Sequence, residues 1–342
     1  MRRHRWLIPW LLMAPGLLWL ALFFVLPNVQ MLAMSLSSGR VGDFAFSWDW
    51  DNYTSALTRF PDNFRNSVVY GGLATLLCLL VGYPLAYGIA FRGGRFKNLL
   101  LFLVIAPFFT SFLLRVISWQ ILIGDRGPLL AVVRDTLGIV PANFTIIGSP
   151  LAVVAGITYQ FLPFMVLPLY VSLEKIDRRY IEAAKDLYAG PWRPAGWIAG
   201  GLVGAAAGGA LMLGLGYATL AAASLPALLP AMAIGGAIGG LVCGFLVSES
   251  FVRVVLPLSL PGLFAGSVLV FIPSIGDFVN AELLGSTKTQ MIGNVIQNRF
   301  LQQNDYPTAA ALSFLLMAAI LVAIIVYARV LGTEELTGGR AA

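Results

Sequence analysis

The chain is short of the residues from which reactive and metal-holding centres are built. Its 342 residues include one histidine and two cysteines. His4 stands among Arg2, Arg3 and Arg5 with no second ligand beside it, and Cys78 and Cys243 each lie inside an apolar run. A metal site needs several such ligands at close spacing, so none is expected, and the cysteines read as small buried residues rather than a disulfide. Signatures of nucleotide and hydrolase chemistry are missing as well. No G-x-x-x-x-G-K-[ST] phosphate loop, no H-E-x-x-H and no G-x-S-x-G occurs. The chain therefore has no recognisable motor or catalytic centre, and uphill work must draw on an ion gradient or another subunit.

Charge is the second scarcity. Only 11% of residues are charged while 58% are hydrophobic, and the mean hydropathy is +0.84. A soluble globule of this size carries about 25% charged residues, so lipid is the solvent here. The net charge of +6 is dispersed over short loops rather than gathered on one face, which argues against a nucleic-acid partner. Apolar runs of about 20 residues, enough to cross a hydrocarbon core of about 30 Å, recur along the whole chain. Helices rather than a barrel are expected, because a barrel would show alternating segments of about ten residues.

Eight spans are expected, at 7–26, 67–90, 99–123, 150–173, 196–223, 225–247, 261–278 and 308–330. The basic start resembles the n-region of a secretory signal, but no small-residue cleavage site follows it, so the first span is expected to be retained. With both termini cytoplasmic, 14 of the 22 basic residues fall inside, seven fall outside, and Arg115 lies within the third span. That asymmetry is the one expected of an oriented membrane protein. Trp6, Trp10, Trp48 and Trp50 fall near the expected interfaces, where indole rings anchor.

One cytoplasmic segment is more specific. Tyr180-Ile-Glu-Ala-Ala-Lys-Asp-Leu-Tyr-Ala-Gly190-Pro-Trp192 follows the fourth span, and Phe251-Val-Arg-Val-Val-Leu-Pro-Leu-Ser-Leu-Pro-Gly-Leu263 opens a later one. Together they resemble the EAA loop of ABC importer permeases, a short helix that docks into a cleft on a cytoplasmic ATPase. The resemblance implies docking through Glu182, Ala183, Ala184 and Gly190. Small alanines allow close approach, Glu182 suits a basic partner, and Gly190 suits a helix end. The chain departs from the family pattern in one respect, because 193–250 intervenes between the two halves. Its Gly200, Gly204 and Gly208, and Gly236, Gly240 and Gly244, have the spacing of closely packed helices. The expected fold is thus an all-α polytopic membrane protein, a six-span ABC importer permease core plus an inserted two-helix membrane hairpin. Its expected divisions are an N-terminal helix at 1–36, core at 37–192, hairpin at 193–250, core at 251–330 and a cytoplasmic tail at 331–342.

Further segments narrow the resemblance. Asn66-Ser-Val-Val-Tyr, Gly82-Tyr-Pro-Leu-Ala-Tyr87, Pro107-Phe-Phe-Thr-Ser-Phe-Leu-Leu-Arg115, Leu162-Pro-Phe-Met-Val-Leu-Pro-Leu-Tyr170, Ile272-Pro-Ser-Ile-Gly-Asp-Phe278 and Met291-Ile-Gly-Asn-Val-Ile-Gln297 look like the first permease subunit of spermidine/putrescine importers. This implies a bacterial inner-membrane heterodimer with a second permease, a cytoplasmic ATPase dimer holding ATP and Mg, and an extracytoplasmic substrate-binding protein. No cofactor is expected on the chain itself. A permease for another small solute shares much of this framework. An ion-coupled secondary transporter or a non-transporting scaffold would leave the EAA segment unexplained.

Ionisable residues inside spans are costly and face a cavity or a partner, which singles out Arg115, Asp277 and Glu282. Asp277 suits a substrate ammonium, and Tyr83, Trp119 and Tyr159 offer ring faces to a cation. Mutual neutralisation of Arg115 and Asp277 is the competing structural reading, with packing the alternative for the rings. Pro84, Pro163 and Pro168 are expected to bend their helices.

Overall fold

The computed structural model describes residues 7–40, 43–131, 145–187 and 251–330. The chain enters through α1 (Leu7–Leu20), a π turn at Ala21–Val25 and α2 (Leu26–Ser35). The first span therefore reaches Ser35 rather than residue 26. Pro27 falls in the first turn of α2, where a missing N–H breaks little, so the helix runs on. A small antiparallel hairpin follows, β1 (Ser37–Arg40) on β2 (Asp43–Phe46), with Ser37 opposite Phe46; it is a departure from the all-helical expectation. Next come α3 (Asp51–Arg59) and α4 (Pro61–Tyr87), the latter extended by a π segment at Gly88–Arg92.

The third span is not the continuous helix expected over 99–123. It consists of α5 (Lys97–Ile105) with a 3₁₀ turn at Ala106–Phe109, and then α6 (Phe112–Ile123). The stretch Gly94–Phe109 and α6 meet at a 98° bend. Thr110 and Ser111 both have extended ψ, 152° and 136°, and two such residues in succession end any helix. Beyond α7 (Pro128–Ala131), α8 (Pro150–Glu174) begins at Ser149, whose Oγ accepts the Ala152 N–H at 3.2 Å. It continues through Pro163 and Pro168, as α4 continues through Pro84.

The short helix α9 (Arg178–Leu187) precedes the stretch 188–250, so the expected hairpin lies outside the described residues. The chain is described again from a π turn at Phe251–Val255, leading into α10 (Leu256–Ile275), α11 (Val279–Leu284), α12 (Ile292–Gln297), a π turn at Asn298–Gln302 and α13 (Tyr306–Val330). The span expected at 261–278 is displaced: it runs Arg253–Ile275, with Pro261 inside it and Asp277 beyond its end. Among the described residues five helices are long and apolar enough to cross a membrane, and the bent pair makes a sixth.

The core is three spans deep. α4, α8 and α10 pack on one another around Ala74, Ile157, Met165, Leu169, Leu173 and Val270, all fully buried. Lipid tails compete equally for apolar side chains, so helices in a bilayer are held by van der Waals contact at short range. Small residues provide it. Gly262 and Gly266, four apart on α10, face α8: a Cβ on Gly262 would stand 2.5 Å from the Pro168 carbonyl oxygen, and one on Gly266 would stand 2.9 Å from the Met165 Sδ. A Cβ on Gly71 of α4 would come 2.8 Å from Ile275. The first span is peripheral, with none of its apolar window buried, and is tied to the body at its outer end, where Asn52 donates to the Ser35 and Ser37 carbonyls.

Replacing Gly266 or Gly262 by Val should force α8 and α10 apart and destabilise the fold by about 1–3 kcal/mol, the usual effect of overpacking. Thermal unfolding of the purified permease in detergent would register this, while Val at Gly72, which has open space around it, should leave the midpoint in place.

Candidate functional site

One end of the bundle is organised by α9. Its sequence has one small apolar stripe: Ile181 and Ala184, three residues apart, are buried, whereas Tyr180, Glu182, Ala183 and Asp186 are exposed. The buried stripe packs against the Phe251–Val255 turn, and Ile181, Phe251 and Val255 belong to one apolar cluster. The two halves of the motif, separated in sequence by 193–250, therefore meet in the fold. Arg178, the first residue of α9, donates from Nη2 to the Phe91 carbonyl at 3.2 Å, tying the helix to the end of α4. Gly190 lies outside the described residues.

Within the membrane, α6 and α8 bring Trp119 and Tyr159 together. Their rings stack at 5.3 Å with an interplanar angle of 7°, and Tyr159 is 40% exposed, so one ring face of the pair is open at the surface of this chain. Arg115, one helical turn before Trp119, sits over the Phe108 and Phe112 rings at 5.4 and 5.9 Å. It does not pair with Asp277. Its Nε and Nη1, together with Trp119 Nε1 and Gln160 Nε2, are the buried side-chain donors without a hydrogen-bond partner among the described residues. All four are on α6 or α8. Gln160 is 1% exposed and was not singled out from sequence; the available signal was a glutamine in an otherwise apolar run.

Asp277 and Glu282 belong instead to a hydrogen-bonded cluster at the outer end of the bundle. Asp277, 6% exposed, accepts the Asn280 N–H at 3.0 Å and the Asn280 Nδ2 at 2.6 Å, which fixes the bend from α10 into α11. Exposed Glu282 accepts from Asn294 Nδ2 at 3.0 Å, and the same amide donates to the Phe278 carbonyl at 2.9 Å. Asn66 donates to the Lys288 and Gln290 carbonyls, and Ser67 Oγ accepts the Ile292 N–H at 2.9 Å. Several polar residues that look like motif markers in the sequence thus satisfy backbone groups of the 276–294 segment. α11 in turn packs on α6, where Gln120 donates to the Leu283 carbonyl at 2.8 Å. Tyr83 stands apart from both groups, 3% exposed, with its hydroxyl 2.6 Å from Ser259 Oγ and its ring edge-on to Phe251.

Residues 239–331 match the family model described as the binding-protein-dependent transport system inner membrane component. Along 91% of its length the chain is 32% identical to the spermidine/putrescine transport system permease protein PotB of Haemophilus influenzae, covering 90% of that protein. It is also 32% identical to the PotB of Escherichia coli, again over 91% of this chain and over 93% of the relative. In fold it resembles a chain of a bacterial ABC transporter involved in the import of the acidic polysaccharide alginate, with a TM-score of 0.63 over 95% of this chain and 96% of that one, at 15% identity. Up to six helical spans among the described residues, a short helix reunited with the opening of a later span, and similarity to named permeases over 91% of the chain lead to one assignment. The chain belongs to the inner-membrane components of binding-protein-dependent transport systems and is a multi-pass permease subunit of an ABC importer.

Proposed function

We propose that this permease conducts polyamines of the spermidine and putrescine class, and that the observation carrying the substrate is the full-length similarity to two PotB proteins. The open Trp119–Tyr159 face supports it chemically. A protonated amine over an aromatic ring gains about 0.5–2 kcal/mol, more as water is excluded, and a polyamine presents several such groups. Asp277 and Glu282 contribute negative charge near the outer mouth through the 276–294 segment, and Arg115 governs the width of the bend between α5 and α6. Tyr83 helps hold α4 to α10 on the cytoplasmic side.

In this reading the chain is non-catalytic and couples to a cytoplasmic ATPase dimer that binds ATP and Mg. α9 is the docking element: Glu182 and Ala183 face outward to the ATPase, Ala184 seats the helix on Phe251–Val255, and Gly190 ends it. The other partners are a second permease and an extracytoplasmic substrate-binding protein, with both termini in the cytoplasm. The stretch 193–250 forms a membrane hairpin that departs from the core after α9 and returns at Phe251, a route supported by the packing of α9 on the Phe251–Val255 turn.

Three outcomes test this. Reconstituted with its partners, the complex should take up labelled spermidine and putrescine, each competing with the other, and Tyr159→Ala should raise the half-saturating concentration about fivefold, the scale of one lost cation–π contact; indifference of uptake to every polyamine removes the substrate. Glu182→Lys should lower transport-stimulated ATP hydrolysis by about tenfold or more, as expected when a charge is reversed in an interface, with substrate preference unchanged. Arg115→Met should leave the thermal midpoint of the permease unchanged or raised, since the guanidinium has buried donors without partners, whose desolvation costs about 1–3 kcal/mol. A fall of about 3–5 kcal/mol would instead reveal a buried ion pair at that position.

A further inference from the structure

The docking helix is joined to the membrane spans by more than its packing. Glu174, the last residue of α8, stands four residues before α9 begins at Arg178, and its Oε1 lies 2.5 Å from the Nζ of Lys97. Lys97 is the first residue of α5, the cytoplasmic limb of the broken span. Beneath the pair lies Tyr170, one turn before Glu174 on α8 and 8% exposed. Lys97 Nζ is 5.2 Å from the Tyr170 ring centroid. A long side chain that is otherwise free to wander is thereby held at one place, its ammonium near an aromatic ring and paired with the Glu174 carboxylate. Arg178 reaches the end of α4 and Ile181 packs toward the start of α10, so α9 has a separate attachment to each of these spans. Of the contacts around α9, the Lys97–Glu174 pair is the ion pair that leads to α5, and through the 98° bend at Thr110–Ser111 to the limb carrying Arg115 and Trp119.

We propose that the Lys97–Glu174 pair, seated on Tyr170, is the link by which displacement of the docking helix moves the broken span. Lys97 and Glu174 are positioning residues: they touch neither solute nor nucleotide, and they act by making α5 follow the end of α8 when α9 is pulled. An ion pair with side chains 26% and 46% exposed contributes little to folding, so its loss leaves the fold in place while removing the connection. The proposal rests on the reading of α9 as the ATPase-docking helix.

The test compares Lys97→Gln, Glu174→Gln and the exchanged pair Lys97→Glu with Glu174→Lys in the complete reconstituted importer. ATP hydrolysed and labelled spermidine taken up are measured on the same vesicles, and thermal midpoints on the purified complex. Each single variant should keep the wild-type midpoint and ATP hydrolysis while the solute moved per ATP falls about fivefold, the lower end of ordinary coupling between sites. The exchanged pair should recover most of that ratio. Single variants with the wild-type ratio overturn the proposal, as does an exchanged pair no better than the singles, or a midpoint that falls in step with the ratio. The wild-type complex separates the two readings: absence of any ATP-dependent uptake there removes the importer reading itself, whereas coupled wild type with equally coupled variants removes only the Lys97–Glu174 link.

Discussion

Close backbone contact between α8 and α10 is the constraint on which the rest of the molecule depends. Hydrocarbon solvates leucine as well as another helix does, so the spans cohere only where their surfaces approach closely. Gly262 and Gly266 create that approach, and Met165, Leu169 and Leu173 fill the seam from the facing helix. From this seam α10 leads outward to Asp277 and the 276–294 segment, and inward to Phe251–Val255, the seat of α9. One packed interface thus sets the positions of both the 276–294 segment and α9.

Polar residues in this permease divide by what they satisfy. Asn66, Ser67 and Asn294 pair with backbone groups and Asn280 with the Asp277 carboxylate, and together they hold the turns of the 276–294 segment, where unpaired buried amides are costly. Arg115, Trp119 and Gln160 instead keep buried donors without partners among the described residues. The first set is architecture. The second lies on α6 and α8, next to the exposed face of Tyr159, and is the part of the described chain whose polar chemistry is incomplete.

Much of this was legible in the residues. Apolar run lengths locate the spans because bilayer thickness sets one number for all of them, and α8 and α13 begin within two residues of their expected starts. The motif around Glu182 predicts a short helix, and α9 is that helix. The break at Thr110–Ser111 was not legible, since hydropathy is blind to direction and both limbs are equally apolar. The role of Asp277 was also hidden: its partner is an amide three residues on, and a charge count registers charges but not the turn that a carboxylate closes. The pairing of Gly262 and Gly266 was not legible either: Gly262 closes the Phe251–Leu263 motif half and Gly266 follows it in an apolar run, and neither position announces a facing helix.

The glycine seam also has an evolutionary consequence. A contact made by the absence of side chains cannot be tuned by exchanging them, since every alternative to glycine at 262 or 266 adds atoms where a neighbour already stands. The α4–α8–α10 bundle is therefore close to frozen, and a permease of this architecture that changes its solute must do so elsewhere. The limb after the bend is where such change is cheapest: Leu113, Leu114 and Ile121 are exposed at this chain's surface, and their replacement disturbs no close packing of the core. Diversity of cargo on a shared scaffold then follows from geometry, with a rigid bundle maintaining the frame and a broken span free to vary.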